Sequence, residues 1–243
     1  MRLILTCLAL SALLLLPPAI FAGILRIPAT CLDYIAVLLH ELGHVALRWS
    51  FGYPTLPALD FRHGGGVIYP FDRNIWLLFG FYAVAAAAFC WGMARRVWWF
   101  AAVVSILTGL HLILAFNYRH EVLCNFMGLG AEVFAAMYCI IRSARGEKMG
   151  GWIEQYFNML LGVYVMGRNI MLTLAVYANP ASDADMQGKA AHVTRDIEQI
   201  AGLADIRMQA VALFAVGFTA LCAVTALGFA IFLPPRERLG TIK

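Results

Sequence analysis

A chain of 243 residues that is 62% hydrophobic and 13% charged, with a mean hydropathy of +0.78, is excluded from the ordinary soluble globular class. Its net charge of +4 is compatible with an anionic lipid surface, and no basic motif marks a nucleic-acid partner. Crossing a bilayer takes about 20 apolar residues. Segments approaching that length recur along the chain, so the expected fold is an all-α polytopic membrane protein with about six to seven transmembrane helices in one membrane domain, 1–243.

The first apolar segment, 3–23, reads as a transmembrane helix or signal anchor. Met1-Arg2, the apolar stretch and Pro17-Pro18 through Gly23 also suit a cleaved signal peptide, but Ile20 is a poor residue for the small-residue position before a cut at Ala22. The second segment, 31–49, contains His40-Glu41-Leu42-Gly43-His44. On a helix this HExxH spacing puts two imidazoles on one face, where both can ligate one metal ion. The glutamate then lies beside a water activated at that ion and can take its proton. Burying ionisable groups in a membrane span is expensive, about 2.5 kcal/mol or more for a charge at the centre, so a functional site is the expectation.

Residues 50–74 carry Pro54, Pro57, Pro70 and the triplet Gly64-Gly65-Gly66, and cannot be helical. Leu56, Leu59, Phe61, Val67 and Ile68 suggest two short strands about a glycine turn, a re-entrant hairpin at the membrane edge. Such an extended segment beside a metal site can hold a peptide by strand addition. The central helices follow at 75–93, 97–116, 122–141 and 152–178. Their backbone polar groups must be satisfied internally, and no run alternates as a barrel strand does. Glu132 is read either as a third metal ligand or, preferentially, as the partner of Arg168. Arg168 and Asn169 are read as structural or interfacial, with stabilisation of an oxyanion as the alternative. His111 is expected to be a satisfied core histidine, and His63 an exposed residue at the hairpin turn.

The polar loop 179–206 carries Asp183, Asp185, His192, Asp196 and Glu198. Thr194 is expected to cap a short helix that ends at Gly202. The last transmembrane helix is placed at 207–233. The six cysteines form no CxxC pair and are read as apolar packing residues. Lys and Arg divide almost evenly between the two faces, so they set no orientation.

His40-Glu41-Leu42-Gly43-His44, followed by Gly52, Pro54, Gly64-Gly65-Gly66 and an apolar helix, resembles the opening of the site-2 protease-type intramembrane zinc metallopeptidases. The smaller bacterial branch is the better likeness, because Asp196-Ile197-Glu198-Gln199-Ile200-Ala201-Gly202-Leu203 is similar to the Asp-led turn before its last helix. The resemblance implies one Zn²⁺ per chain held by His40, His44 and Asp196, with Glu41 as general base. It also implies a bacterial cytoplasmic membrane, a membrane-protein substrate cut near the cytoplasmic face, and a cytoplasmic N-terminus. Larger family members take the third ligand from a Leu-Asp-Gly motif, which this chain lacks, so His192, Asp185, Asp183 and Glu132 stand beside Asp196 as candidates. A buried site of this kind also needs a polar channel from the face bearing 179–205. A non-catalytic metal-binding or ion-handling membrane protein and a zinc-dependent lipid hydrolase are the alternative functions.

Overall fold

The computed structural model describes residues 2–15, 26–60, 65–117, 119–146, 151–179 and 189–232. In chain order they form α1 (Arg2–Leu15), α2 (Arg26–Ser50), β1 (Thr55–Asp60), β2 (Gly65–Pro70), α3 (Ile75–Ala94), α4 (Trp98–Ala115), α5 (Arg119–Arg145), α6 (Trp152–Ala178), α7 (Lys189–Ala204) and α8 (Met208–Phe232). Six of these helices, α2, α3, α4, α5, α6 and α8, are long and apolar enough to cross a membrane. Outward faces of α3, α4 and α8 carry large apolar side chains such as Phe79, Val84, Trp99, Ile106, Ile113, Leu221 and Val224. Surface of that kind needs an apolar surrounding. The protein is therefore an all-α, polytopic integral membrane protein bearing one β-hairpin.

The longest helices form its centre. α5 packs against α2, α6, α7 and α8, while α1 lies on α6 and α3 pairs mainly with α4. Small residues set the closest approaches, as expected where apolar burial gives helices in lipid little reason to associate. A Cβ added at Gly43 would lie 2.5 Å from the Ala131 Cβ and would also meet the Met127 carbonyl. At Gly162 it would lie 2.7 Å from the Ala136 carbonyl oxygen. Both helices that flank α5 thus reach its backbone through a glycine.

Between α2 and α3 the chain makes its expected hairpin. The strands pair antiparallel, from Thr55 opposite Pro70 to Asp60 opposite Gly65. Gly65 and Gly66 lie in β2 rather than in a turn, and 61–64, His63 among them, lie outside the described residues. The stem closes on itself, because the Asn74 N–H donates to the Gly52 carbonyl at 2.6 Å and the Phe71 N–H to the Pro54 carbonyl at 2.9 Å. Gly52 has φ +86° and would place a Cβ 2.9 Å from the Asn74 oxygen, so the position calls for glycine. The Asn74 side chain then caps α3 by accepting the Trp76 and Leu77 N–H groups. The hairpin lies against α2, with β2 also touching α7.

The polar stretch departs from expectation. α7 starts at Lys189, and Thr194 is a buried residue inside it, not its cap. The helix ends beyond Gly202, at Asp205 in the left-handed region with φ +53°, where the Ile206 N–H returns to the Ala201 carbonyl. Val193, Ile197, Ile200 and Ala201 recur at helical spacing and pack against Val176, Val211 and Ala212. Burial of that stripe extends the helix past both local punctuation signals.

The α2–α5 contact generates a stability prediction. Gly43→Ala is expected to push α2 off α5 at a cost of about 1–3 kcal/mol, the usual range for overpacking. A lowered thermal midpoint in detergent, compared with a lipid-facing Val224→Ala control that melts like wild type, checks it.

Candidate metal centre

Helical periodicity places His40 and His44 one turn apart on the face of α2 that meets α5, their ring centroids 4.7 Å apart. Gly128 of α5 makes room for them. A Cβ at this glycine would sit 2.6 Å from His40 Nε2 and would also strike His44 Nε2. Each ring is fixed through its other nitrogen. His40 Nδ1 lies 2.7 Å from Oε1 of Glu132, a side chain with no exposed surface. His44 Nδ1 lies 2.7 Å from the Cys124 carbonyl oxygen. A carbonyl only accepts, so His44 must donate from Nδ1, and the carboxylate of Glu132 draws the His40 proton to Nδ1 in the same way.

With their protons on Nδ1, the two neutral imidazoles turn lone pairs at Nε2 toward a common point. Asp196 of α7 occupies it. Its Oδ2 lies 2.8 Å from His40 Nε2 and 3.2 Å from His44 Nε2. Three acceptor atoms thus converge with no donor of their own between them, an arrangement that requires a cation, either a proton or a metal. One ligating atom from each of the three side chains lies within 4.8 Å of the others, as a shared ion demands. Tetrahedral zinc with bonds of about 2.0–2.1 Å separates its ligands by about 3.3 Å, so small outward shifts would seat one. When a proton rather than a metal supplies that cation, burial still raises the Asp196 carboxyl, but the hydrogen bonds and charge of the protonated His40 and His44 outweigh it and hold the group well below the usual carboxylate range. The residues present fit a divalent ion with two nitrogen donors and one oxygen donor.

Glu41 is buried beside this cluster, and among the described residues no hydrogen bond reaches its carboxylate. Its nearest charged neighbour is His192, whose Nδ1 lies 3.9 Å from Oε1. Burial lowers the His192 pKa. His192 and Asp196 keep 24% and 18% of their side-chain surface exposed, which marks the α7 side as the edge where the site opens.

A small cavity of about 10 Å³, close to the size of one water molecule, is lined by His40, Asp196, Asn125 and apolar neighbours. An apolar cleft of about 810 Å³ between α5, α7 and α8 shares Phe126, Ile200 and Val211 with it. A polar channel was expected here; the cleft next to the cluster is apolar, and 180–188, part of the face from which the channel was to lead, lie outside the described residues.

Of the candidates for the site, His40, Glu41, His44, His192 and Asp196 come together, and Asp183 and Asp185 lie outside the described residues. Glu132 does not pair with Arg168. It stands behind His40, on the ring nitrogen remote from Asp196. Arg168 instead faces Asp33 of α2, with Nε 2.5 Å from Oδ1 in an ion pair that is not an aligned hydrogen bond. Tyr164 donates to the same Asp33 oxygen at 2.9 Å. Asp33 of α2, rather than Glu132 of α5, is the carboxylate within reach of Arg168. His111 is the satisfied core residue expected, stacked on Phe51 and within 3.2 Å of the Tyr82 and Ser50 hydroxyls. Gly128 and Asn125 were not singled out in the sequence. Their signal is the spacing 125, 128, 132, which is one face of a helix. No family model, curated protein or solved structure matches the chain.

Three outcomes are expected in chelator competition. Glu132→Gln should weaken metal affinity about 10–100-fold, the usual loss when the partner of a ligating histidine is removed. Asp196→Ala should reduce it further, and His192→Ala should leave it unchanged.

Proposed function

We propose that this chain is an intramembrane zinc metalloendopeptidase, hydrolysing peptide bonds in or near the membrane-spanning segments of other proteins. The observation that carries the reading is the juxtaposition in one place of an acceptor trio suited to a cation and a buried carboxylate, Glu41, that makes no hydrogen bond among the described residues. A buried carboxylate whose ion-pair neighbour, His192, stands 3.9 Å away, beyond hydrogen-bond reach, calls for a functional explanation. The resemblance to site-2 protease-type enzymes supports the same reading and supplies the expectation of zinc and of a bacterial cytoplasmic membrane.

In this mechanism His40, His44 and Asp196 hold the ion, and Glu132 and the Cys124 carbonyl keep both imidazoles turned toward it. When bound, zinc acidifies water and polarises a carbonyl. Glu41 takes the proton of the attacking water as its oxygen bonds to the scissile carbonyl carbon. It then delivers that proton to the amine nitrogen as the carbon–nitrogen bond breaks. The strands of the hairpin pair only with each other among the described residues, so each keeps an edge for an extended substrate segment. The apolar cleft beside the site suits the apolar residues of a membrane segment.

A non-catalytic metal site or an ion carrier would use Glu41 as a ligand or leave it dispensable. Glu41 is absent from the converging trio. The test is hydrolysis of a peptide spanning a membrane segment by zinc-loaded protein in liposomes. Glu41→Gln should lower the rate by about 10²–10⁴-fold, the range for a general base, with zinc content unchanged. A variant that cleaves as fast as wild type would refute the reading.

A further inference from the structure

Asn125 lies on α5 one turn before Gly128, and its carboxamide makes no hydrogen bond among the described residues. It is 5% exposed. It lines the water-sized cavity together with His40 and Asp196. Its amide atoms are not among the polar atoms sealed from solvent without a partner, so they keep a little accessible surface. The group is therefore available to bond a molecule that enters the cavity.

The chemistry of the surroundings indicates what that is. Around the cavity and beside it, His40 and His44 turn lone pairs inward, and Asp196 and Glu41 bring carboxylates. None of these can donate a hydrogen bond to a substrate oxygen while serving as ligand or base. The amide of Asn125 carries two N–H donors and no charge. A peptide carbonyl attacked by water gains negative charge on its oxygen, and a preorganised donor in a water-poor site is what stabilises that charge.

We infer that Asn125 is a catalytic residue of the peptidase reaction, donating its N–H to the carbonyl oxygen of the scissile peptide as that oxygen becomes an oxyanion. The inference rests on the peptidase reading. As the water oxygen bonds to the carbonyl carbon, the carbonyl electron pair moves to the oxygen, where Asn125 holds it. On collapse the pair returns, the carbon–nitrogen bond breaks, and the amine leaves with the proton carried by Glu41. Both the oxygen and the amide return to their starting state.

The experiment uses the full-length, zinc-loaded protein in liposomes, with Asn125→Ala and the similarly sized Asn125→Leu, which suits an apolar helix. Both are expected to lose kcat by about 10²–10³-fold, as when one oxyanion donor is removed, with KM little changed and zinc content equal to wild type. Affinity for a peptidyl phosphinate, a tetrahedral anionic mimic, should fall by a similar factor. Affinity for the uncleaved peptide, measured in a Glu41→Gln background, should not. Unchanged kcat and phosphinate affinity in either zinc-replete variant would overturn the assignment, as would losses that follow zinc content. Wild-type hydrolysis abolished by Glu41→Gln keeps the peptidase reading standing whatever the Asn125 variants do. No hydrolysis by wild type would overturn both.

Discussion

The site depends on how closely α2 can approach α5. In a bilayer two helices gain little from burying apolar surface against each other, so van der Waals contact and a few hydrogen bonds must hold them. Here Gly43 lets α2 reach the carbonyl of Met127 and the side chain of Ala131, and Gly128 admits the two imidazoles that α2 carries. At that distance Glu132 and the Cys124 carbonyl reach His40 and His44. A wider crossing would take from both buried imidazoles the acceptors that orient them. The glycine inside the HELGH pentapeptide thus has a packing role independent of the residues on either side of it.

Once the rings are fixed, the electrostatics follow. Orienting both Nδ1 protons outward leaves two lone pairs facing Asp196, and three acceptors cannot share a space without a cation. α7 delivers that acid because its apolar stripe, Val193, Ile197, Ile200 and Ala201, docks on α6 and α8 while Asp196 lies one residue from Ile197 on the neighbouring face. A single amphipathic helix outside the spans therefore joins the third acceptor and His192 to histidines carried by a different helix. Glu41 and Asn125 complete the surroundings with a carboxylate and an amide that make no hydrogen bond among the described residues.

Much of this was legible before the fold was known. The spans follow from apolar length alone, and HELGH is readable because its geometry is local to one helix. Pro54, Pro57 and Pro70 exclude helix from the hairpin region, although two of the glycines assigned to the turn pair in a strand. Asp196 could be chosen as an acid on an amphipathic turn near the last helix. What could not be read was partner choice across long separations. Glu132 bonds a residue 92 positions away, and Arg168 selects Asp33 on α2 over Glu132 on α5. Local cap signals at Thr194 and Gly202 were overridden by tertiary burial. The stripe of Asn125, Gly128 and Glu132 was visible as a spacing, but its meaning depends on knowing which helix it faces.

The central claim is that three acceptors from α2 and α7 surround a cation. X-ray absorption at the metal edge of purified, zinc-loaded protein tests it most directly. The account predicts about one zinc per chain, with two imidazole nitrogens and light oxygen donors at about 2.0–2.2 Å, and loss of one oxygen donor or of the metal in Asp196→Ala. A shell containing sulfur, or a protein that takes up no zinc under conditions that load a control metalloprotein, would contradict it.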